Sequence, residues 1–293
     1  MARRPTLTAA GPPWGTPLPD WYRINGRHDL PWRHTRDPWA VLVSEVMLQQ
    51  TSVARVLPRW ERFMARWPTA ARCAAATLSE LLREWQGLGY PRRARALHLC
   101  AASVAADGWP RDEAGLTGLP GVGRYTARAL LALAFSDADA LPPRDVNLGR
   151  VAARAVLGRE PHEVRATDLE AALLAGRPAA MTARDHTLAL FDLGATICTA
   201  RAPRCPACPL SDCASRTRLA SAAPAPAPRR QAPWAGSMRR LRGAVLAVML
   251  APDAPVELEA LAARVATVPA ASRPGAVAEA LAGLRSDGLL PAP

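Results

Sequence analysis

Apolar residues recur at three- and four-residue intervals through most of the chain from Trp21 to about Ser215. That spacing lines one face of an α-helix. Alternating runs that would mark half-buried strands are few. The pattern predicts helices over about Pro38–Thr51, from Thr77 through Trp85, and over Arg92–Ala105. Others follow near Tyr125–Ala134, Asn147–Val156, Asp168–Leu174 and Thr182–Cys198. Thr77-Leu78-Ser79-Glu80 carries the spacing of a capping box, which announces a helix start. An all-α fold is expected. Residues 1–19, rich in Pro, Gly and Thr, read as a disordered tail, and the Ala-Pro run within 216–237 as a linker. The block 238–293 reads as three helices followed by Asp287-Gly288-Leu289-Leu290, an order that suits a small winged-helix-like domain.

Composition narrows the class. The chain has 293 residues, 49% of them hydrophobic, enough for two or three small domains with buried cores. Its formal charge is +12, which favours a polyanionic partner such as nucleic acid. All 37 of its Lys and Arg residues are Arg. The first residues lack an apolar leader, and Gly243–Ala251 is too short an apolar run to cross a membrane. A cytoplasmic protein with no membrane partner is expected.

Four of the six cysteines crowd into Cys198-x6-Cys205-x2-Cys208-x4-Cys213. Thiolates this close need a cation to offset their repulsion, and four of them suit zinc or an iron–sulfur cluster. Cys73 and Cys100 stand alone in helical sequence, as core thiols do. Glu45 is the one ionisable group in the apolar stretch Val41–Leu48. A desolvated carboxyl tends to keep its proton, as a general acid must. Asp145 follows Pro142-Pro143 and precedes a helix, the place of an N-cap. Gly121-Val122-Gly123 opens another helix, where a tight turn and free N–H groups can meet a phosphate.

These words combine into a resemblance. Leu30-Pro31-Trp32-Arg33, Ser44–Thr51, Trp85-Gln86-Gly87-Leu88-Gly89-Tyr90, Leu119-Pro120-Gly121-Val122-Gly123 and the cysteine loop closely resemble the A/G-specific adenine DNA glycosylases of the endonuclease III, or helix-hairpin-helix, superfamily. The likeness covers roughly Trp21–Cys213. It implies a two-lobed fold: a six-helix barrel over about 37–150, and a cluster domain from 20–36 plus 151–215. It also implies a [4Fe-4S] cluster on Cys198, Cys205, Cys208 and Cys213, although the family's usual last gap is five residues and this one is four. Arg201 and Arg204, inside that loop, match phosphate contacts. Glu45 matches the acid that protonates adenine N7. Asp145, followed by Asn147, matches the carboxylate that stabilises the sugar cation. Tyr125 stands where strand-cutting relatives place a Schiff-base Lys, so base removal without lyase activity is implied.

Gln50 and Thr51 match residues near the opposing 8-oxoguanine, Leu88 and Tyr90 match wedge residues, and Arg33 matches a residue of the adenine pocket. Gly121, Val122 and Gly123 match the phosphate-binding hairpin. The implied partner is duplex DNA with A:8-oxoG or A:G mispairs, bound by a nucleoid-associated monomer. Three further features depart from the family: Leu188 where a Gln or Glu often contacts adenine, Pro91 for a second Tyr, and a tail too short for the usual lesion-reading domain. Two alternatives stay open. A thymine-mismatch or oxidised-pyrimidine glycosylase is disfavoured by Glu45 and the absence of Lys. A non-catalytic iron–sulfur DNA-binding protein is disfavoured by the two carboxylates.

Overall fold

The computed structural model describes residues 14, 17–135, 141–174, 177–220, 234 and 236–291. Every regular element among them is helical, as the apolar spacing predicts. In chain order these are α1 (Pro17–Asn25), α2 (Pro38–Leu48), α3 (Val53–Arg66), α4 (Ala70–Ala74), α5 (Leu78–Trp85) and α6 (Arg92–Asp107). Then come α7 (Glu113–Thr117), α8 (Arg124–Leu133), α9 (Val146–Ala155), α10 (Ala166–Leu174), α11 (Ala183–Thr196) and α12 (Arg216–Ala220). The last are α13 (Met238–Met249), α14 (Leu258–Val265) and α15 (Ala276–Ser286). The capping box at Thr77 is present: its side chain accepts from Glu80 N, and Glu80 reaches back to Thr77 N. Helix α2 stops at Leu48, three residues short of expectation, because Gln50 takes a left-handed φ of 55°.

The described chain forms two compact units. The first is drawn from Met1–Leu42, Pro110–Gly118 and Val122–Pro228, the second from Val43–Trp109, Leu119–Gly121 and Arg229–Pro293. In the first unit α9 packs on α10 and α11, and α8 and α1 also pack on α11. This contact with α11 draws α8 and α9 into the first unit, away from the barrel expected over 37–150. Asp192 on α11 is fully buried and accepts hydrogen bonds from the Arg27 backbone N (2.9 Å) and Nε (2.5 Å) and from Arg33 Nη1 (2.5 Å) and Nη2 (2.7 Å).

The expected disordered tail lies mostly outside the described residues, but two features within it are ordered. Trp14 is fully buried, its ring 5.9 Å from that of His186, and α1 begins at Pro17. His186 is itself 2% exposed. Burial first, then the charge of Arg177, lowers its pKa from 6.5 to about 4. A neutral folded His and a protonated unfolded one make stability fall as pH drops from 6.5 toward 4. The full loss is about 3 kcal/mol, with about 2 kcal/mol gone by pH 5. Urea unfolding at pH 7 and pH 5 should therefore differ more for the wild type than for His186→Leu.

In the second unit α6 packs on α4 and α5, with Phe63 edge-on to Trp67 and Trp85 at 4.8 and 6.4 Å. Cys73 and Cys100 are buried core thiols, each pushed up to about 12 by burial. Helices α13, α14 and α15 pack on one another and belong to this same unit. Arg83 Nε donates to the Leu250 carbonyl at 2.7 Å, and Asp287 accepts from both Arg92 and Arg242. The winged-helix-like expectation meets its helices but no wing, since residues 236–291 form no paired strands. The expected linker is helical at Arg216–Ala220, and most of the remainder lies outside the described residues.

Candidate active site and cysteine loop

Asp145 is the N-cap of α9, in extended backbone at φ −103° and ψ 178°. One carboxylate oxygen accepts from the backbone N of Asn147 (2.9 Å) and of Leu148 (2.6 Å). The other accepts from Asn147 Nδ2 at 3.0 Å. The capping role and a catalytic one are compatible, because the cap fixes the direction of the carboxylate. Burial raises the Asp145 carboxyl above its ordinary range, and these donors and Arg150 oppose that rise.

Behind Asp145 stands a residue that spacing alone did not single out. Arg150 Nη2 donates to Asn147 Oδ1 (2.8 Å) and to the Gly194 carbonyl (2.8 Å), and its Nε donates to the Cys198 carbonyl (2.7 Å). A chain of hydrogen bonds thus runs from Asp145 through Asn147 and Arg150 to the first cysteine of the loop. One turn on, Arg154 donates to the Thr199 and Ala200 carbonyls and lies 3.8 Å from Cys198 Sγ. Two buried Arg four apart in an apolar helix were the available signal.

The four loop cysteines are unpaired, and buried or partly so. Burial raises the thiols of Cys198, Cys208 and Cys213, and neighbouring thiols of the loop add to the rise. Among the described residues no group of three or more His, Cys, Asp or Glu closes around a single ion. In a four-iron cluster each thiolate holds a different iron, so its sulfurs spread wider than around one ion. A donor set of four thiols beside Arg150 and Arg154 fits such an anionic cluster. Arg201 and Arg204 are both exposed on the loop.

Gly121 has φ 75°, and a Cβ there would meet Ala96 Cβ at 2.6 Å, so the turn requires glycine. Gly123 is the N-cap of α8 and has no side chain with which to cap its first turn, the end of a helix that favours an anion. Val122 is buried and Tyr125 half-buried near the start of α8. Leu188 is buried on α11 among core residues. Arg33 spends two N–H groups on Asp192, so its guanidinium is engaged inside the first unit.

Glu45 belongs to the second unit, on α2, and is 8% exposed, as its apolar surroundings predict. Gln50 is exposed just past the end of α2, and Thr51 Oγ1 lies 3.4 Å from the Leu88 carbonyl. Of the two wedge candidates, Tyr90 is 46% exposed and Leu88 only 3%. Burial makes Leu88 a support for its turn and leaves Tyr90 as the presented side chain.

Residues 43–173 match the family described as HhH-GPD superfamily base excision DNA repair protein. The chain is 46% identical over 245 residues to the adenine DNA glycosylase of Mycolicibacterium smegmatis, covering 82% of this chain and 81% of that one. Its fold is similar to that of a thermostable thymine-DNA glycosylase, with a TM-score of 0.60, 28% identity, and 69% and 94% of the two chains covered. Endonuclease III in a trapped covalent complex with DNA is also similar, with a TM-score of 0.54, 26% identity and the same coverage. The sequence match to an adenine enzyme spans more of this chain at higher identity than either fold match. The chain belongs to the HhH-GPD superfamily of base excision repair proteins and, within it, to the adenine DNA glycosylases.

Proposed function

We propose that the protein binds double-stranded DNA, extrudes adenine mispaired with 8-oxoguanine or guanine, and hydrolyses its N-glycosidic bond. The observation that carries this reading is the carboxylate of Asp145, aimed by three hydrogen bonds from Asn147 and Leu148. Glu45, kept from water, donates a proton to adenine N7. The C1′–N9 bond breaks and its electron pair leaves with the base. Ionised Asp145 stabilises the oxocarbenium-like sugar. Water adds at C1′ and its proton passes to Glu45, giving an abasic site.

Tyr125 contributes a hydrogen-bonding hydroxyl where lyases need an amine, and the chain contains no Lys. The hairpin at Gly121–Gly123 grips the backbone, Tyr90 fills the gap left by the flipped base, and Gln50 and Thr51 read the opposing base. Cys198, Cys205, Cys208 and Cys213 would hold a [4Fe-4S] cluster, whose contribution is to fix the loop fold.

The test is incubation with duplexes containing A:8-oxoG, A:G, G:T and thymine glycol. Strand breaks should appear for the first two, and only after alkali. Breaks without alkali, or release from G:T alone, would overturn the assignment.

Gly194 offers a finer check. A Cβ there would lie 2.8 Å from Asn147 Cβ and 3.1 Å from its carbonyl oxygen. Gly194→Ala must therefore shift Asn147 and, with it, Asp145. Expected are a stability loss of about 1–3 kcal/mol and a single-turnover rate down by at least ~10-fold. An unchanged rate would show that Asn147 does not set the carboxylate.

A further inference from the structure

Arg93, the second residue of α6, joins two segments of the second unit. Its Nη1 donates to the Val46 carbonyl at 2.8 Å and the Gln49 carbonyl at 2.5 Å. Its Nη2 donates to the Leu88 carbonyl at 3.1 Å and the Gly89 carbonyl at 3.2 Å, with Thr51 Oγ1 at 3.4 Å. The guanidinium carbon also lies 5.3 Å from the ring centre of Tyr90 and 5.6 Å from that of Trp85.

The carbonyls on the first side end α2, where the last turn lacks intrahelical donors and carries the negative end of the helix dipole. Those on the second side belong to the Leu88–Tyr90 turn. Beyond each set stands a non-glycine residue with positive φ: Gln50 at 55° and Tyr90 at 48°, the only two among the described residues. The conformation of each is disfavoured for an L side chain and must be held by its surroundings. One planar fork directs Nη1 to the end of α2, and Nη2 to the turn and to Thr51 Oγ1. An ammonium is a single point and cannot span both with the same geometry.

We propose that Arg93 is a positioning residue that fixes the Gln49–Thr51 and Leu88–Tyr90 segments against each other and thereby sets discrimination of the base opposite the target. The proposal rests on the reading above, in which Gln50, Thr51 and Tyr90 meet DNA.

The test is Arg93→Lys, with Arg95→Lys as a control on an exposed residue of the same helix. In Arg93→Lys the preference for A:8-oxoG over A:G in single-turnover excision should fall ~10-fold or more. Backbone amides of both segments should exchange hydrogen faster together, while the interior of α6 stays protected. Arg95→Lys should change neither. A folded Arg93→Lys with wild-type preference, or with only one segment loosened, would overturn the proposal.

If Arg93→Lys does not fold, Gly89→Ala reads the same device. Gly89 has φ 74° with open space around its Cα, so the substitution strains the backbone that offers its carbonyl to Arg93 without a clash. Wild-type preference in that variant would equally overturn the clamp. Should the wild-type protein excise adenine from neither duplex, the functional reading fails, while hydrogen exchange still decides whether Arg93 couples the segments.

Discussion

Asp145→Asn should fold, bind its duplex, and remove adenine about 10³-fold more slowly than the wild type. Asn is as good an N-cap as Asp, and its one carbonyl oxygen can still accept from Asn147 N and Leu148 N. Thermal stability should therefore change little. The second oxygen becomes an NH2 group that faces Asn147 Nδ2, donor against donor. Asn147 cannot flip to relieve this, because its Oδ1 already accepts from Arg150. The substitution thus removes the negative charge and disturbs the group that aims it. Glu45→Gln should cost about 10²–10⁴-fold by removing the transferable proton. Single-turnover excision beside a binding titration checks both, and a rate near wild type in either variant would remove that residue from the chemistry.

The same carboxylate gives the acid side of the pH profile a direction. Burial raises the Asp145 carboxyl above the usual carboxylate range. In the proposed mechanism the ionised form stabilises the sugar cation, so the rate should fall with decreasing pH from a point above the ordinary Asp value of about 3.9. The His186 effect on stability falls in a neighbouring window, so rates need to be measured where His186→Leu and wild type are equally folded.

Helices were legible where one apolar stripe runs uninterrupted, as in α5 and α6. Helix α3 was not, because Pro58 lies inside it and reads as a breaker. The missing N–H leaves the Ala54 carbonyl without that partner, and the burial of Val56, Trp60 and Phe63 outweighs the loss. The burial of Glu45 was legible because a single charge in an apolar run has few places to go. Arg93 and Arg150 were not, because most of their acceptors are backbone carbonyls, and a carbonyl has no residue identity to read. The order of three helices and then Asp287-Gly288-Leu289-Leu290 does not lead to a wing among residues 236–291: Asp287 holds Arg92 and Arg242, and Gly288 closes the end of α15 with φ 64°.

Removing the Asp192 carboxylate should cause one of the largest stability losses in the first unit, about 3–5 kcal/mol for Asp192→Ala. The carboxylate is fully buried, and the Arg33 side chain it neutralises is 7% exposed, so its loss leaves a guanidinium with neither water nor a counter-charge. Arg27 is one-third exposed and would recover hydration, so Arg27→Met should cost less, about 1 kcal/mol after screening. Burial by itself raises the Asp192 carboxyl, but the hydrogen bonds and charge of Arg33, with those of Arg27, bring it below its ordinary value. Its contribution is therefore complete above the unfolded value of about 3.9 and is lost as pH falls through the lower folded one. That window lies below the one in which His186 acts. Urea unfolding at pH 7 reads the substitution directly, and a loss under about 1 kcal/mol would mean that the two Arg side chains rearrange to reach water. Asp192 and Gly194 share one turn of α11, and Gly194 packs on Asn147. Any shift of that turn reaches the carboxylate of Asp145, so the folded fraction of Asp192→Ala should also excise adenine more slowly than the wild type.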